Sequence, residues 1–281
     1  MKCPICGGST IEQLYVMNGF ELVKCLDCNL VFQSKIDLLD GNDMIDVIYD
    51  ENWTKMKEQT GVEDLYNHYL FSSHFVNSYS NPGDSLLEIG CGTGEFLHLM
   101  QLTGKQVTGM EPSKESCAFA KSKYQLDFIH SMWDVSLFDN KKRFDNIAFW
   151  HVLEHIANPI VFLTEASSIL KENGKIFFSI PNQDCLYNLV MRNASPLYTE
   201  RDHLFHYSTK NLPILLSKSG LVPEKIFLWE GPGRLKTDWS LYKKILSSTA
   251  ITGVNDEYSF LAWLRNTNRS YELFCVAKKA D

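Results

Sequence analysis

The chain lacks any hydrophobic run that approaches the roughly 20 residues needed to span a membrane. Its first residues, Met1 to Pro4, also lack the apolar stretch of a secretory signal peptide. From these two absences we expect a cytoplasmic protein with no membrane span.

Positive charge is also scarce. The 281 residues include 27 Lys and Arg against 34 Asp and Glu, which gives a formal net charge of −7. Residues 1–60 alone contain ten acidic residues against five lysines. Because binding to a phosphate backbone depends on an excess of positive charge, this composition argues against a nucleic-acid partner.

A glycine-rich segment joins a short apolar run to a predicted helix. Gly90, Gly92 and Gly94 stand at alternate positions, where the absence of Cβ atoms lets a ligand lie against bare backbone. Glu88 precedes the first glycine, and Glu111 ends the next apolar run at about the spacing at which a βαβ unit presents a carboxylate to ribose hydroxyls. The pattern therefore predicts a nucleoside-containing cofactor.

The glycine spacing distinguishes between cofactors. Dinucleotide enzymes use G-x-G-x-x-G to bring a pyrophosphate to a helix N-terminus, whereas here an acid is followed by three alternate glycines. The carboxylate of Glu88 is unsuited to phosphate and suits a cationic ligand. The segment resembles the first motif of the class I S-adenosylmethionine-dependent methyltransferases. That resemblance implies a Rossmann-like α/β fold with a seven-stranded sheet, S-adenosylmethionine as cofactor and methyl transfer as the activity.

Further cofactor contacts are expected where strands end, since ligands of open α/β sheets lie beyond the carboxyl ends of the strands. Met132 and Trp133 follow the third predicted strand and are placed to flank an adenine, although core packing is an equal alternative. Trp150 and His151 follow the fourth strand and face the same crevice. The predicted cofactor-binding set is Glu88, Gly90, Cys91, Gly92, Gly94, Glu111, Pro112, Met132, Trp133, Trp150 and His151.

Four of the eight cysteines form two Cys-x-x-Cys pairs separated by eighteen residues. The spacing of Cys3, Cys6, Cys25 and Cys28 is typical of two knuckles that close a tetrahedral zinc site. A disulfide framework is the alternative, which a reducing cytosol disfavours. Four thiolate ligands leave no coordination position open, so we expect a structural zinc.

The sequence predicts three parts. Residues 1–36 form a zinc ribbon, residues 37–81 a helical cap or linker, and residues 82–281 the cofactor-binding methyltransferase domain. In the third part strands and helices alternate as a parallel sheet requires, with one helix ended by Gly174. Residues 230–269 are long for a hairpin connection, which indicates a functional insertion or an oligomer contact such as a homodimer interface.

The run His151-Val-Leu-Glu-His155 contains two histidines that would share one face of a helix. Metalloprotease motifs place glutamate next to the first histidine, whereas Glu154 precedes the second, so no catalytic metal is expected. The run instead resembles the fourth-strand motif of small-molecule methyltransferases. That resemblance implies that His151 lies near the methionine part of the cofactor and that His155 points towards the acceptor.

A second polar group follows the fifth predicted strand of the large sheet. Asp202 and His203 resemble the acid-histidine pair of zinc-bearing sugar methyltransferases, which also begin with a four-cysteine ribbon. The resemblance implies that His155, Asp202 and His203 are catalytic and help to deprotonate the acceptor. Those sugar C-methyltransferases carry a further C-terminal domain with no counterpart in this sequence, so carbon, oxygen and nitrogen acceptors all stay open.

The predicted function is methyl transfer to a small-molecule acceptor, with a nucleotide-linked or polysaccharide sugar as one candidate. A histidine that titrates near neutrality can remove the proton that the acceptor loses. One alternative is an RNA base methyltransferase, because a zinc ribbon before this fold also resembles a family that methylates ribosomal RNA. Another is a non-catalytic assembly module that binds the cofactor only as structure.

Overall fold

The computed structural model describes residues 1–36, 62–138, 143–231, 242–244, 246–247 and 253–280. Residues 37–61 of the predicted cap and parts of the predicted insertion at 230–269 therefore lie outside the described residues. The described chain contains a seven-stranded sheet flanked by helices, and a smaller four-stranded sheet. The predicted Rossmann-like α/β sheet is confirmed.

The strands and helices have the following bounds. The strands are β1 (Ile11–Val16), β2 (Glu21–Cys25), β3 (Val31–Gln33), β4 (Ser85–Ile89), β5 (Gln106–Glu111), β6 (Phe128–His130), β7 (Phe144–Trp150), β8 (Leu170–Pro181), β9 (Phe205–His206), β10 (Leu221–Trp229) and β11 (Glu272–Lys279). The helices are α1 (Val62–Asn77), α2 (Glu95–Leu102), α3 (Lys114–Tyr124), α4 (Pro159–Ser168), α5 (Leu186–Met191), α6 (Pro196–Thr199), α7 (Leu212–Lys218) and α8 (Glu257–Asn266). No described helix is long and apolar enough to cross a membrane.

The large sheet has the strand order β6-β5-β4-β7-β8-β11-β10. β6, β5, β4, β7 and β8 are parallel to one another, and β11 runs antiparallel to both β8 and β10. The carboxyl ends of the parallel strands consequently meet at one side of the sheet, which we call the carboxyl edge. Ligands of open α/β sheets bind beyond this edge.

Strands in the middle of the sheet are buried on both faces, as parallel strands covered by helices must be. Phe149 of β7 stacks on Phe178 of β8 with ring centroids 5.0 Å apart. On one face, α1 buries Phe75 against Phe177 with its ring edge-on at 5.5 Å. Burial of one such side chain stabilises the fold by about 1.5–3 kcal/mol, so α1 is held firmly on the sheet.

Two helices begin at side chains that cap them, and one predicted helix end is not found. The Ser113 side chain caps α3 by accepting from the Ser116 amide, and Asn158 caps α4 ahead of Pro159. The prediction that Gly174 ends a helix is wrong, because α4 stops at Ser168 and Gly174 lies within β8. There the register of β8 shifts against β7, and a Cβ on Gly174 would lie 3.1 Å from the Asp145 carbonyl oxygen. The glycine therefore serves a bulge.

The small sheet has the order β1-β2-β3-β9 and joins the ribbon to the rest of the chain. β9 follows the predicted catalytic segment, and it pairs antiparallel with β3 through Val31–His206 and Phe32–Phe205. The rings of Phe32 and Phe205 stack at 6.5 Å, and both side chains are buried. The ribbon thus shares a sheet and a hydrophobic core with the part of the chain that forms the large sheet.

The described part of the segment between β10 and β11 forms a separate small core. Phe260 and Leu264 of α8 belong to the same buried cluster as Leu186 of α5 and Leu197 of α6. The Asp256 side chain caps α8 by accepting from the Ser259 amide. This segment therefore covers the short helices that follow β8.

Candidate functional site

The glycine loop after β4 leaves no room for larger side chains. Gly90 has φ +70°, and a Cβ there would lie 2.8 Å from the Val152 side chain. Gly94 has φ +87°, and a Cβ would lie 2.8 Å from the Phe128 ring. Gly92, with φ +52°, also has left-handed backbone. Only glycine meets these conditions without strain, so the chain turns sharply and presents bare backbone at the carboxyl edge.

Glu111, at the end of β5, is fixed against this loop. Its Oε2 accepts from the Gly92 amide at 2.7 Å, and its Oε1 accepts from the Ser113 amide at 2.9 Å. The carboxyl groups of Glu88 and Glu111 are both buried. The carboxyl edge therefore carries concentrated negative charge, which suits a sulfonium or ammonium ligand.

Tyr69 and Cys91 lie close enough to these acids for the negative charge to affect both groups. Burial raises the pKa of the Tyr69 hydroxyl well above its usual value, and the charges of nearby acids, among them Glu95 and Glu88, raise it further. Burial and the charges of Glu88 and Glu111 likewise raise the pKa of the Cys91 thiol. Cys91 thus stays a neutral thiol, and α1 presents Tyr69 to the acidic group.

The residues after β5 and β6 have different surroundings. The Pro112 carbonyl accepts from His130 Nε2 at 2.9 Å, which ties the ends of β5 and β6 together. Met132 is exposed beyond β6. Trp133 packs edge-on against Phe162 at 5.5 Å and donates from Nε1 to Glu165 at 2.8 Å. Trp133 is therefore held against α4, whereas Met132 is open to a ligand.

Trp150 and His151 lie beside one another at the end of β7. The Trp150 ring is buried and packs edge-to-face on Phe96 at 5.0 Å, and its Nε1 has no hydrogen-bond partner among the described residues. His151 has φ +53°, and its amide donates to the Ser179 carbonyl at 3.0 Å. This left-handed backbone turns the chain out of β7 and directs the imidazole away from the strand.

The expectation that His151 and His155 share one helix face is wrong. The segment forms only a short 3₁₀ turn, Leu153–His155, which starts after His151. His151 Nε2 lies 2.9 Å from Glu272 Oε1 and its Nδ1 lies 3.2 Å from Glu154 Oε1. His155 instead faces Asp202. The two histidines therefore belong to separate clusters, with the buried Glu154 between them.

The three predicted catalytic residues come together. His155 Nδ1 lies 3.0 Å from the Asp202 carbonyl oxygen and 3.3 Å from Asp202 Oδ2, and the His155 and His203 ring centroids are 4.9 Å apart. Because a carbonyl oxygen can only accept, His155 donates from Nδ1 and keeps Nε2 as its acceptor. This is the arrangement of an acid that orients a histidine base.

The pKa values of the two imidazoles shift in opposite directions. Burial lowers the pKa of His155, and the neighbouring His203 lowers it further, while Glu154 and Asp202 oppose the change. Burial also disfavours the charged form of His203, but the hydrogen bond from its Nε2 to Glu200, 2.9 Å long, raises the pKa overall. His155 is consequently the neutral, proton-accepting member of the pair.

The ribbon supports this pair directly. Gln33 of β3 donates from Nε2 to the carbonyl oxygens of Arg201 at 2.7 Å and of His203 at 3.1 Å. The Gln33 amide donates to the Leu204 carbonyl at 3.0 Å, and the Leu204 amide donates to the Glu154 carbonyl at 2.9 Å. A continuous set of hydrogen bonds therefore links the ribbon, the His203 segment and the turn that carries His155.

Sequence reasoning missed several residues of the site. Glu154 and Glu200 were detectable as acids one and three positions from a histidine that is predicted to be catalytic. His68, Glu272 and Gln33 carry no local signal, since each contacts the site from an element distant along the chain. Only the fold brings these three side chains into place.

The four ribbon cysteines converge. The Sγ atoms of Cys3 and Cys28 are 3.6 Å apart, as are those of Cys6 and Cys25, and all four lie within 4.8 Å of one another. A tetrahedron of sulfurs about 2.3 Å from a zinc ion has edges of about 3.8 Å. The distance is far too long for a disulfide, and all four cysteines are free. The donor set therefore fits a closed tetrahedral zinc site.

Comparison with known proteins gives the same class as the geometry. A family model described as a methyltransferase domain matches residues 66–226, more than half of the chain. The chain therefore belongs to this methyltransferase family, and it is a class I S-adenosylmethionine-dependent methyltransferase, as the glycine loop predicts.

The individual relatives match a smaller part of the chain. The chain is 30% identical over 107 residues to the ubiquinone biosynthesis O-methyltransferase of Vibrio atlanticus (strain LGP32), a match that covers 36% of this chain and 45% of that protein. The chain thus spans less than half the length of that curated relative.

Solved structures share the fold over most of the chain. A SAM-dependent methyltransferase from Archaeoglobus fulgidus superposes with a TM-score of 0.57 at 21% identity, covering 82% of this chain and all of that one. The magnesium protoporphyrin IX methyltransferase of Synechocystis PCC 6803, solved with bound SAH, gives a TM-score of 0.57 at 13% identity over 85% of this chain and all of that one.

Proposed function

We propose that the enzyme methylates a small-molecule acceptor, and that a nucleotide-linked or polysaccharide sugar is the first class to test. The observation that supports this is the His155–Asp202 pair, a half-buried pair in the segments that follow β7 and β8, in which His155 Nε2 is left to accept a proton. The names of the curated relatives also describe a small-molecule O-methyltransferase. The net charge of −7 supports this acceptor class over RNA.

In the proposed mechanism, S-adenosylmethionine supplies an activated methyl group when bound, and the protein aligns the acceptor and removes one proton. Glu111 accepts from the ribose hydroxyls, and Glu88 contributes negative charge near the glycine loop. His155 Nε2 takes the acceptor proton. Asp202 orients that imidazole, and His203, held by Glu200, completes the polar wall.

The other proposed cofactor contacts follow from where each residue lies at the carboxyl edge. Gly90, Cys91, Gly92 and Gly94 present backbone to the cofactor, and Pro112 and Met132 border the adenine. Trp133 supports that border from its position against α4. Trp150 and His151 lie at the methionine end.

The ribbon supplies structure in this proposal. Cys3, Cys6, Cys25 and Cys28 hold a zinc ion that takes no part in chemistry, because four thiolates leave it no open position. The organisation is then a zinc ribbon at 1–36, a cap at 37–81 and the methyltransferase domain at 82–281.

The test is a transfer assay with methyl-labelled S-adenosylmethionine and panels of nucleotide sugars, phenols and RNA. We expect label in a small molecule, loss of transfer in His155→Ala with cofactor affinity retained, and full activity in His74→Ala, which alters an exposed histidine of α1. Transfer to RNA with a steep salt dependence would contradict the acceptor class. Unchanged transfer by His155→Ala would remove that residue from the mechanism.

A further inference from the structure

A second group of titratable side chains lies outside the proposed catalytic pair. His68 of α1, His151 after β7 and Glu272 of β11 converge, with both imidazole Nε2 atoms directed at one carboxylate oxygen. His68 Nε2 is 2.8 Å and His151 Nε2 is 2.9 Å from Glu272 Oε1. The three ligand atoms all lie within 4.8 Å of one another. We call this group the His68–His151–Glu272 cluster.

We propose that the His68–His151–Glu272 cluster binds a divalent metal ion of the kind that accepts both imidazole nitrogen and carboxylate oxygen, such as Mn²⁺ or Zn²⁺. Two histidines and one glutamate form a donor set found in metal sites that keep a position open for a further ligand. This site is distinct from the four-cysteine site in both its ligands and its place in the fold.

The spacing of the donor atoms suits this assignment. Ligands about 2.1 Å from a metal are about 3.0 Å apart at right angles, as in octahedral coordination, and about 3.4 Å apart in tetrahedral coordination. The two nitrogen-to-oxygen distances, 2.8 and 2.9 Å, are close to the octahedral value. A bound ion would replace the hydrogen bonds of both imidazoles to Glu272.

The surroundings of His151 match those of a metal ligand. A histidine that binds a metal through one nitrogen usually donates from the other to a carboxylate, which fixes the ring. Glu154 Oε1 lies 3.2 Å from His151 Nδ1, within ion-pair distance, and neither Glu154 oxygen has another hydrogen-bond partner among the described residues. Glu154 also lies next to His155 in the chain, so the two sites share an acid between them.

Charge and burial also support a metal ion at this cluster. Glu272 and Glu154 are 3% and 0% exposed, and two buried carboxylates need compensating positive charge, which a protonated His151 supplies only in part. A divalent cation supplies that charge in one step. The rings of Trp150, Trp229 and Phe274 surround His68 at 5.5–6.1 Å and shield the group from water, which strengthens the electrostatic interaction. The His151 side chain, 36% exposed, leaves a route for entry.

The position of the cluster suggests its use. His151 follows β7 at the carboxyl edge, where the acceptor binds in the proposed function. An oxygen atom of that acceptor can occupy the open coordination position and lose its proton more readily to His155. This use rests on the proposed function, whereas metal binding itself does not.

The experiment is a Mn²⁺ titration followed by electron paramagnetic resonance, in which the bound ion loses its free-ion signal. Mn²⁺ prefers nitrogen and oxygen ligands, so the thiolates of the ribbon do not interfere. The chain is tested as the wild type and as His68→Ala, Glu272→Gln and His74→Ala, the last being an exposed histidine on the same helix. We expect one bound Mn²⁺ in the wild type and His74→Ala, and at least tenfold weaker binding in the other two.

A second measurement does not depend on variants. Mn²⁺ added to the wild type should broaden the ring-proton resonances of His68 and His151 most strongly and those of the exposed His74 and His130 less, because paramagnetic broadening falls steeply with distance from the ion. Absence of Mn²⁺ binding, equal binding in all variants, or uniform broadening would each overturn the metal site. Methyl transfer that continues in EDTA without any Mn²⁺ binding would remove the metal and leave the proposed function standing.

Discussion

The two ends of the site are built in different ways. At the proposed cofactor end, backbone atoms of the glycine loop form most of the surface. Glu111 there accepts from an amide only 19 residues away in the chain. At the acceptor end, side chains come from distant elements, and Gln33 donates to carbonyls 168 and 170 residues further along the chain. The difference teaches that the cofactor end depends on one βαβ unit, whereas the acceptor end depends on the docked ribbon.

Loss of the ribbon metal should separate the two ends most strongly, because it should affect methyl transfer and not cofactor binding. In Cys25→Ser we expect methyl transfer to fall by about 100-fold or more, because small ribbons unfold without metal and a displaced catalytic group costs about that much. Cofactor affinity should change little, since β4 and β5 do not contact the ribbon through any described strand pairing. The two quantities are measured by label transfer and calorimetry.

Cys117→Ser is the matched control, since Cys117 lies on α3 outside the four-cysteine cluster. Equal loss of cofactor binding and transfer in Cys25→Ser would show that the ribbon supports both ends of the site, which would contradict the comparison.

The reverse effect is expected from Glu111→Ala. This change removes the acceptor for two backbone amides and, in the proposed function, for the cofactor ribose, so cofactor binding should weaken by about 1.5–3 kcal/mol. Glu115→Ala, an exposed acid of the first turn of α3, should bind normally. Calorimetry with S-adenosylmethionine measures both, and unchanged affinity in Glu111→Ala would displace the assignment.

The same contrast explains how much the sequence could predict. Short segments with fixed spacing could be recognised from the sequence, as for the glycine loop, Glu111 and the cysteine pairs. The zinc site itself, the catalytic roles, the cytoplasmic location and a homodimer stay predictions. His68 and Glu272 could not be found, because no periodicity indicates which strand of a sheet will lie beside which helix. Gly174 was misread because a glycine after an apolar run suits both a helix end and a bulge.

A smaller effect, from one side chain of the ribbon, tests how the ribbon positions the His203 segment. Gln33→Leu removes the donor to the Arg201 and His203 carbonyls while leaving the backbone pairing of β3 intact. The buried His203 carbonyl and the part-buried Arg201 carbonyl then lose a partner, and we expect kcat to fall by about tenfold with the cofactor affinity unchanged.

Gln13→Leu, an exposed glutamine of β1, is the matched control for Gln33→Leu and should retain full activity. A fall in cofactor affinity without a fall in kcat would contradict a role for Gln33 in positioning the His203 segment.

The smallest predicted effect is a shift in the pH profile of kcat, measured with an acceptor identified by the screen. His155 must be neutral to accept a proton, so activity should rise with pH through its lowered pKa, below 6.5. In Asp202→Asn the main-chain carbonyl still orients the ring, but one negative charge that raises the pKa of His155 is gone. The acid limb should therefore move to lower pH, by less than about one unit.

Glu200→Gln should shift the same limb the other way. Glu200 raises the pKa of His203, and a positive charge on His203 lowers the pKa of His155. Without the carboxylate, His203 loses its proton at lower pH, the repulsion between the two rings falls, and the acid limb moves to higher pH. Opposite shifts in the two variants would identify His155 as the titrating base, because a merely structural role for either acid would lower the rate without moving its pH dependence. Shifts in the same direction would exclude this coupling.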